Sequence, residues 1–232
     1  MSTTKSAPVI VLKDIGKTYK SGEEKTIALQ SINITIENGD FVAIMGPSGS
    51  GKSTMMHILG LLDTPSSGSF LLDGQDVSKL KKNTQADLRN RKIGFVFQQF
   101  NLMPRTTVLE NLMLPTVYGN LPNRFERAES LLKHVDLADR ATHTGAQLSG
   151  GQIQRVAVAR ALMMNPSLIL ADEPTGNLDT KRSEEIMRLF RFINKQGATV
   201  VLITHEPEIA AYADRIITLK DGAIIADKKR LS

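Results

Sequence analysis

The sequence contains no cysteine and no tryptophan among its 232 residues, and aromatic residues make up only 5% of it. Without cysteine there is no disulfide and no thiolate metal site, so burial alone must hold the chain together. That composition fits a reducing, cytosolic setting. With few aromatics and no long Lys/Arg block, the chain lacks the stacking platform and charged track that single-stranded nucleic acid requires. No nucleic-acid partner is therefore expected. No apolar run approaches the ~18 residues of a membrane span, so no direct membrane insertion is expected either. The N-terminal residues 1–8 lack a hydrophobic signal core. The four histidines, His57, His134, His143 and His205, show no metal-ligand spacing.

What is present is a 41% hydrophobic content, enough to build the core of one large domain or of a core with a subdomain. Lys+Arg 29 minus Asp+Glu 24 gives +5, a mild basic excess that suits an anionic ligand without demanding one.

Residues 8–14, 27–37, 41–45 and 69–72 read as strands separated by turns. Residues 84–91 read as a helix and 93–97 as another strand. From about 99 to 163 the pattern is helical, with predicted helices over 107–118, 124–135 and 152–164. Strand 167–171, helix 181–194, strand 199–204, a short helix over 207–213 and strands 215–220 and 223–227 follow. Strands alternating with helices predict an α/β fold with a mainly parallel sheet. The helical stretch over 99–163 reads as an insertion within that core. Residues 228–232 read as a frayed tail.

The sharpest signal is Gly46-Pro47-Ser48-Gly49-Ser50-Gly51-Lys52-Ser53, which fits G-x-x-x-x-G-K-[ST]. It lies between a predicted strand and a predicted helix starting at Thr54, as a phosphate-binding P-loop should. Glycines let successive N–H groups curl around an anion. The helix N-terminus adds partial positive charge. Lys52 supplies a cation for the β- and γ-phosphates, and the Ser53 hydroxyl suits Mg²⁺. A flexible Gly/Ser loop is the plain alternative, and the strand–loop–helix context argues against it.

Three more groups follow core strands, at the edge where ligands sit in open α/β sheets. Asp172 ends Leu168-Ile169-Leu170-Ala171 in the Walker B pattern and offers a carboxylate to Mg²⁺. Glu173 is positioned to face an attacking water and act as base. Gln98, after 93–97, is placed to bridge Mg²⁺ or water. His205, after 199–204, is placed to contact the γ-phosphate and orient Glu173. A lone strand-end histidine is usually structural; four convergent groups make a site.

Leu148-Ser149-Gly150-Gly151-Gln152 also contains a capping box, Ser149 with Gln152. A capping box alone does not explain two glycines in a first helical turn, each costing about 1 kcal/mol relative to alanine. They predict close approach of something to the backbone, a second phosphate site at a helix N-terminus. One chain cannot easily bring both sites to one nucleotide; two chains arranged head to tail can.

On these motifs the chain resembles the ATP-binding cassette (ABC) ATPase subunits over essentially its whole length. Residues 46–53 match the P-loop, Gln98 the Q-loop, 148–152 the LSGGQ signature, and Asp172-Glu173 Walker B with its catalytic glutamate. Asn177-Leu178-Asp179 resembles the D-loop, and His205 the switch histidine. The strings 95–104, 107–111 and 171–179 are similar to the lipoprotein-release and macrolide-efflux subfamily. Ile153 departs from it, standing where those relatives usually carry a polar residue.

The resemblance implies a P-loop NTPase (RecA-like) core over 1–98 and 164–232, with an N-terminal antiparallel β subdomain and a helical signature subdomain over 99–163. It implies an ATPase coupled to transport, with ATP and Mg²⁺ as cofactors. Tyr19 is implied as the adenine-stacking aromatic. Two copies would form an ATP-dependent homodimer and work with an integral membrane permease subunit. That partner would hold the chain peripherally on the cytoplasmic face of the inner or plasma membrane. The apolar string Phe100-Asn101-Leu102-Met103-Pro104 is expected to face that partner. The alternatives are a mechanotransmission ATPase of the cell-division type and a soluble non-transport ABC ATPase. The latter typically carries a long coiled coil or a second cassette, which this chain lacks.

Overall fold

The computed structural model describes residues 7–230. Two sheets organise it. The first is antiparallel, in the order β2-β1-β4-β5, from β1 (Ile10–Ser21), β2 (Glu24–Ile36), β4 (Ser67–Leu72) and β5 (Gln75–Asp76). The second has the order β10-β9-β3-β8-β7-β6. It is built from β3 (Phe41–Met45), β6 (Ile93–Phe97), β7 (Leu168–Asp172), β8 (Thr199–Ile203), β9 (Arg215–Lys220) and β10 (Ala223–Lys229). All neighbours in the second sheet run parallel except β9 and β10.

Its central strands are apolar along their whole length because both faces are covered. Strand alternation sends Val42, Ile44, Leu168, Leu170, Val201 and Ile203 to one face. There they pack with the antiparallel sheet and with Met55, Met56, Ile58 and Leu59 of α1 (Lys52–Leu59). Phe41, Ala43, Ile169, Ala171, Val200 and Leu202 face the other way, against Ile186, Met187, Phe190 and Ile193 of α6 (Thr180–Lys195). Between β6 and β7 lie helices α3 (Val108–Met113), α4 (Arg124–His134) and α5 (Gly150–Ala161). They carry a third apolar cluster of their own, around Val108, Leu112, Ala128, Leu132, Val156 and Ala159. Helix α5 belongs to two clusters, since its Val158 and Ala161 pack on the sheet.

Several expected boundaries move. The strand expected over 8–14 runs on to Ser21, because bulges near Asp14 break the alternation without ending the pairing with β2. Residues 75–76 add a short strand. The helix expected over 107–118 stops at Met113. Pro115 cannot donate to a helical ladder, and the chain tightens into a 3₁₀ turn over Leu114–Val117. The helix expected over 207–213 is the single turn α7 (Pro207–Ala210). Lys228 and Lys229 are not frayed: they pair with Ile216 and Arg215 in β9. Arg230 donates through its backbone N–H to Asp214 O at 2.6 Å. Leu231 and Ser232 lie outside the described residues. One more helix, α2 (Lys82–Lys92), precedes β6.

Candidate functional site

Four neighbouring strands end at one level. Ile44 of β3 pairs with Ile203 of β8, Ile203 with Asp172 of β7, and Asp172 with Phe97 of β6. The chain beyond each end therefore emerges along one rim. It carries Gly46 after β3, His205 after β8, Glu173 after β7 and Gln98 after β6.

After β3 the loop from Gly46 turns through Pro47, Ser48 and Gly49, all exposed, into α1. Gly51 sits before the helix at φ 99°, in the left-handed region that glycine tolerates. A Cβ there would stand 2.6 Å from the Ala28 carbonyl oxygen. No side chain caps α1, and no acidic residue occupies its first turn of Lys52, Ser53 and Thr54. The helix start is left positive. Lys52 folds across the loop, its Nζ donating to the Gly46 and Pro47 carbonyls at 2.7 and 2.8 Å. Ser53 is exposed beside it, whereas the Ser50 Oγ is buried with no partner.

Asp172 is half-buried. Burial, then the neighbouring Glu173 charge, pushes its carboxyl above the usual carboxylate range, against the pull of His57 and Lys52. Glu173 takes the left-handed region at φ 43°. Its Oε1 accepts from the His205 N–H at 3.1 Å and stands 2.7 Å from His205 Nδ1. Its Oε2 accepts from the Thr204 hydroxyl at 3.1 Å. The hydrogen bond from Glu173, reinforced by its charge, raises the His205 pKa above the ordinary imidazole value. The His205 side chain is 68% exposed, open to a ligand.

Gln98 is exposed, and its carbonyl accepts from Asn177 Nδ2 at 2.9 Å, which ties the 98 turn to the 177 turn. At the head of α5, Ser149 and Gln152 cap one another, Ser149 N–H to Gln152 Oε1 at 2.9 Å and Gln152 N–H to Ser149 Oγ at 3.4 Å. A Cβ on Gly150 would meet Leu178 at 3.6 Å and Phe100 at 3.9 Å, ordinary contact distances. Nothing within the chain requires a glycine there. Gly151 is buried against Arg182. Tyr19, 40% exposed, donates its hydroxyl to Asp63 Oδ2 at 3.0 Å. Lys17 Nζ lies 4.9 Å from the ring centroid and bonds Asp63 Oδ1 at 2.7 Å.

Residues 29–176 match the ABC transporter family model. The chain is 52% identical over 219 residues to YknY of Bacillus subtilis, an ABC transporter ATP-binding protein, covering 94% of this chain and 95% of that one. The chain belongs to the ABC transporter ATP-binding family. It is 51% identical over 221 residues to the macrolide export ATP-binding/permease protein MacB of Bdellovibrio bacteriovorus. That match covers 95% of this chain but only 34% of MacB. Among solved structures it resembles the bacterial ABC transporter cassette MJ0796 as a dimer, at 48% identity and a TM-score of 0.86. That match covers 96% of this chain and 99% of the other. A post-hydrolysis dimer of MJ0796 bound to ADP and Pi matches equally well in shape, at 47% identity and TM-score 0.86.

The cassette is thus an ATP-binding ABC ATPase with a mixed α/β fold, as its motifs imply. Among the described residues no helix is long and apolar enough to cross a membrane. Sequence reasoning missed the side chains that hold the site in shape. Thr204 is fully buried and grips Glu173, and Asp63 and Lys17 hold Tyr19. Arg160 donates to the Phe100 and Asn101 carbonyls at 3.1 and 2.6 Å, fixing the connection after Gln98. The Thr204-His205 pair was a readable signal; the others act across long sequence separations. The string 100–104 is divided. Leu102 packs on the helical cluster, and Met103 stays 49% exposed.

Proposed function

We propose that this cassette is the ATP-hydrolysing motor of an export-type membrane transporter, working as a head-to-tail dimer around two nucleotides. The carrying observation is the rim at which the uncapped α1, Gln98, Asp172, Glu173 and His205 meet. The second observation is Gly150, a glycine that its own chain does not require. Each ATP lies between the loop 46–54 of one copy and Ser149, Gly150, Gly151 and Gln152 of the other. Residues 99–163 form the signature subdomain, and 1–98 with 164–232 the nucleotide-binding core.

Hydrolysis in such a site is positioning and charge stabilisation. Backbone N–H groups of residues 48–54 cradle the phosphates. Lys52 exchanges its bonds to the Gly46 and Pro47 carbonyls for phosphate oxygens. Ser53, Asp172 and Gln98 would hold Mg²⁺. Hydroxyl, carboxylate and amide oxygens are the hard donors that this ion takes, with phosphate and water completing the set. When bound, Mg²⁺ neutralises phosphate charge. Glu173 accepts the proton of the attacking water, held by Thr204 and His205. Tyr19 stacks on adenine through the ring face away from Lys17.

The membrane partner takes a groove of about 600 Å³ between sheet and inserted helices, lined by Leu62, Ile93, Phe95, Phe97, Leu114 and Pro115. Its occupant is a segment of a permease, the function that the MacB relatives carry on the same chain as their cassette. The cassette is then held at the cytoplasmic face of the membrane by that subunit.

The test is Glu173→Gln, which keeps shape and hydrogen bonding but takes no proton. Turnover is expected to fall roughly 10²–10⁴-fold while ATP binding survives. The variant should elute as a dimer with ATP. Near-normal hydrolysis rejects the base assignment, and a monomer under saturating ATP rejects the sandwich.

A further inference from the structure

One helical turn beyond Gly150 on α5 stands Gln154. Its side chain is fully buried, at 0% exposure. Its Nε2 donates to the Pro174 carbonyl at 2.7 Å. Its Oε1 is buried without a partner. Because a carbonyl only accepts, the amide orientation is fixed by that one bond.

Pro174 directly follows Glu173, and Glu173 holds a left-handed backbone conformation, φ 43°, unusual for a side chain of its size. Such a conformation persists only where its surroundings over-determine it. The backbone of the turn is held by Glu173 N–H to Ile203 O at 2.9 Å and Gly176 N–H to Glu173 O at 3.1 Å. Both bonds lie within the sheet rim and the turn itself. The bond from Gln154 reaches the turn from α5, the helix whose first residues form the signature. A buried amide with an unmet acceptor is a poor device for stability alone, since an apolar side chain of the same size avoids that desolvation.

We infer that Gln154 is a positioning residue that fixes the Pro174 turn, and with it Glu173, against the signature helix. Fully buried, it acts through the turn and sets where the Glu173 carboxylate points. The inference rests on the reading of Glu173 as the base.

The test uses Gln154→Leu and Gln154→Met in the full chain. Each exchanges one unpartnered buried acceptor, Gln154 Oε1, for another, Pro174 O. The melting temperature should therefore stay within about 4 °C of the parent. ATP affinity is expected to hold while kcat falls roughly 10- to 100-fold, the size of loss that small misplacements of a reacting group cause. A second readout is the His205 imidazole resonance in the nucleotide-free protein, assigned by its loss in His205→Ala. Its titration midpoint, raised by Glu173, should move back toward the ordinary imidazole value of about 6.5 when the carboxylate is displaced. Unchanged kcat, or an unmoved His205 midpoint, overturns the proposal. So does a kcat loss in both variants that merely follows a collapse in melting temperature. Glu173→Gln run in parallel separates the two readings. If it retains turnover, the base assignment fails, and the His205 midpoint in Gln154→Leu still decides whether Gln154 places the carboxylate.

Discussion

Glu173 and His205 form one unit: a single carboxylate oxygen, Glu173 Oε1, accepts from the His205 backbone N–H at 3.1 Å and meets its ring Nδ1 at 2.7 Å. Backbone and side chain of one strand end thus grip the side chain of the next. The carboxylate cannot swing without breaking both contacts, so β7 and β8 present it as a fixed group.

That contact sets a pH signature. The His205 pKa is raised by its hydrogen bond to Glu173, then by the Glu173 charge. The stabilisation from the charged pair is therefore complete below the ordinary imidazole pKa and is lost as pH rises through the raised one. NMR titration of the nucleotide-free protein should place the His205 midpoint above the ordinary imidazole value. Glu173→Gln should lower the midpoint, because the charge is gone. An unchanged midpoint would break the link.

Ser149→Arg should abolish hydrolysis while sparing nucleotide binding, since the bulk falls where the partner's phosphates are to sit. Gly150→Ala is the finer probe. The added Cβ meets only ordinary contacts at 3.6 and 3.9 Å inside the chain, so folding is preserved. A loss of ATPase with an intact melting curve locates the close approach in the other copy. Full activity of Gly150→Ala would remove the argument from the glycine. In dilute protein the ATPase rate should rise faster than linearly with concentration; strictly first-order behaviour in a monomeric sample would sink the sandwich.

Tyr19→Ala should weaken ATP binding by about 1–3 kcal/mol, the usual worth of base–aromatic stacking. Tyr19→Phe keeps the ring and loses only a half-exposed hydroxyl bond to Asp63, so its effect should stay below about 1 kcal/mol. Asp63 itself is informative. Burial pushes its carboxyl up, but bonds from Lys17, the Thr64 N–H and Tyr19 hold it below the usual carboxylate range. Isothermal titration with ATP and GTP should show little discrimination, because a ring face reads no base edge. An unchanged affinity in folded Tyr19→Ala would return the residue to a structural role.

Leu62→Glu tests the groove. Leu62 is 46% exposed at its edge, so the charge is tolerated by the fold. Basal ATPase should be unchanged and co-purification with a membrane permease lost. Met103→Glu, also at an exposed position, tests the neighbouring string separately. Leu102 is unsuitable because it is partly buried against the helical cluster. Retained partner binding in the Leu62 variant would move docking elsewhere.

The sequence by itself determined the fold class and singled out the candidate site residues, because both are written locally. The P-loop must follow a strand and open a helix within a dozen residues, and the apolar runs within 41–45, 168–171 and 199–204, set between turn signals, read as buried strands. Spacing also marked the two glycines of the signature as surplus to a capped helix. Only tertiary structure decided what orients these groups. The strand order that sets β8 between β3 and β7 aligns Ile44, Ile203, Asp172 and Phe97 on one rim, and no periodicity specifies pairing order. The Gln154–Pro174 and Tyr19–Asp63 bonds span 20 and 44 residues. The continuation of β1 past its bulges likewise depended on its pairing with β2, whereas the stop of α3 was legible locally in Pro115. Local sequence fixes which groups are available. The directions in which they point are set by hydrogen bonds between segments that become neighbours only when the sheet has formed.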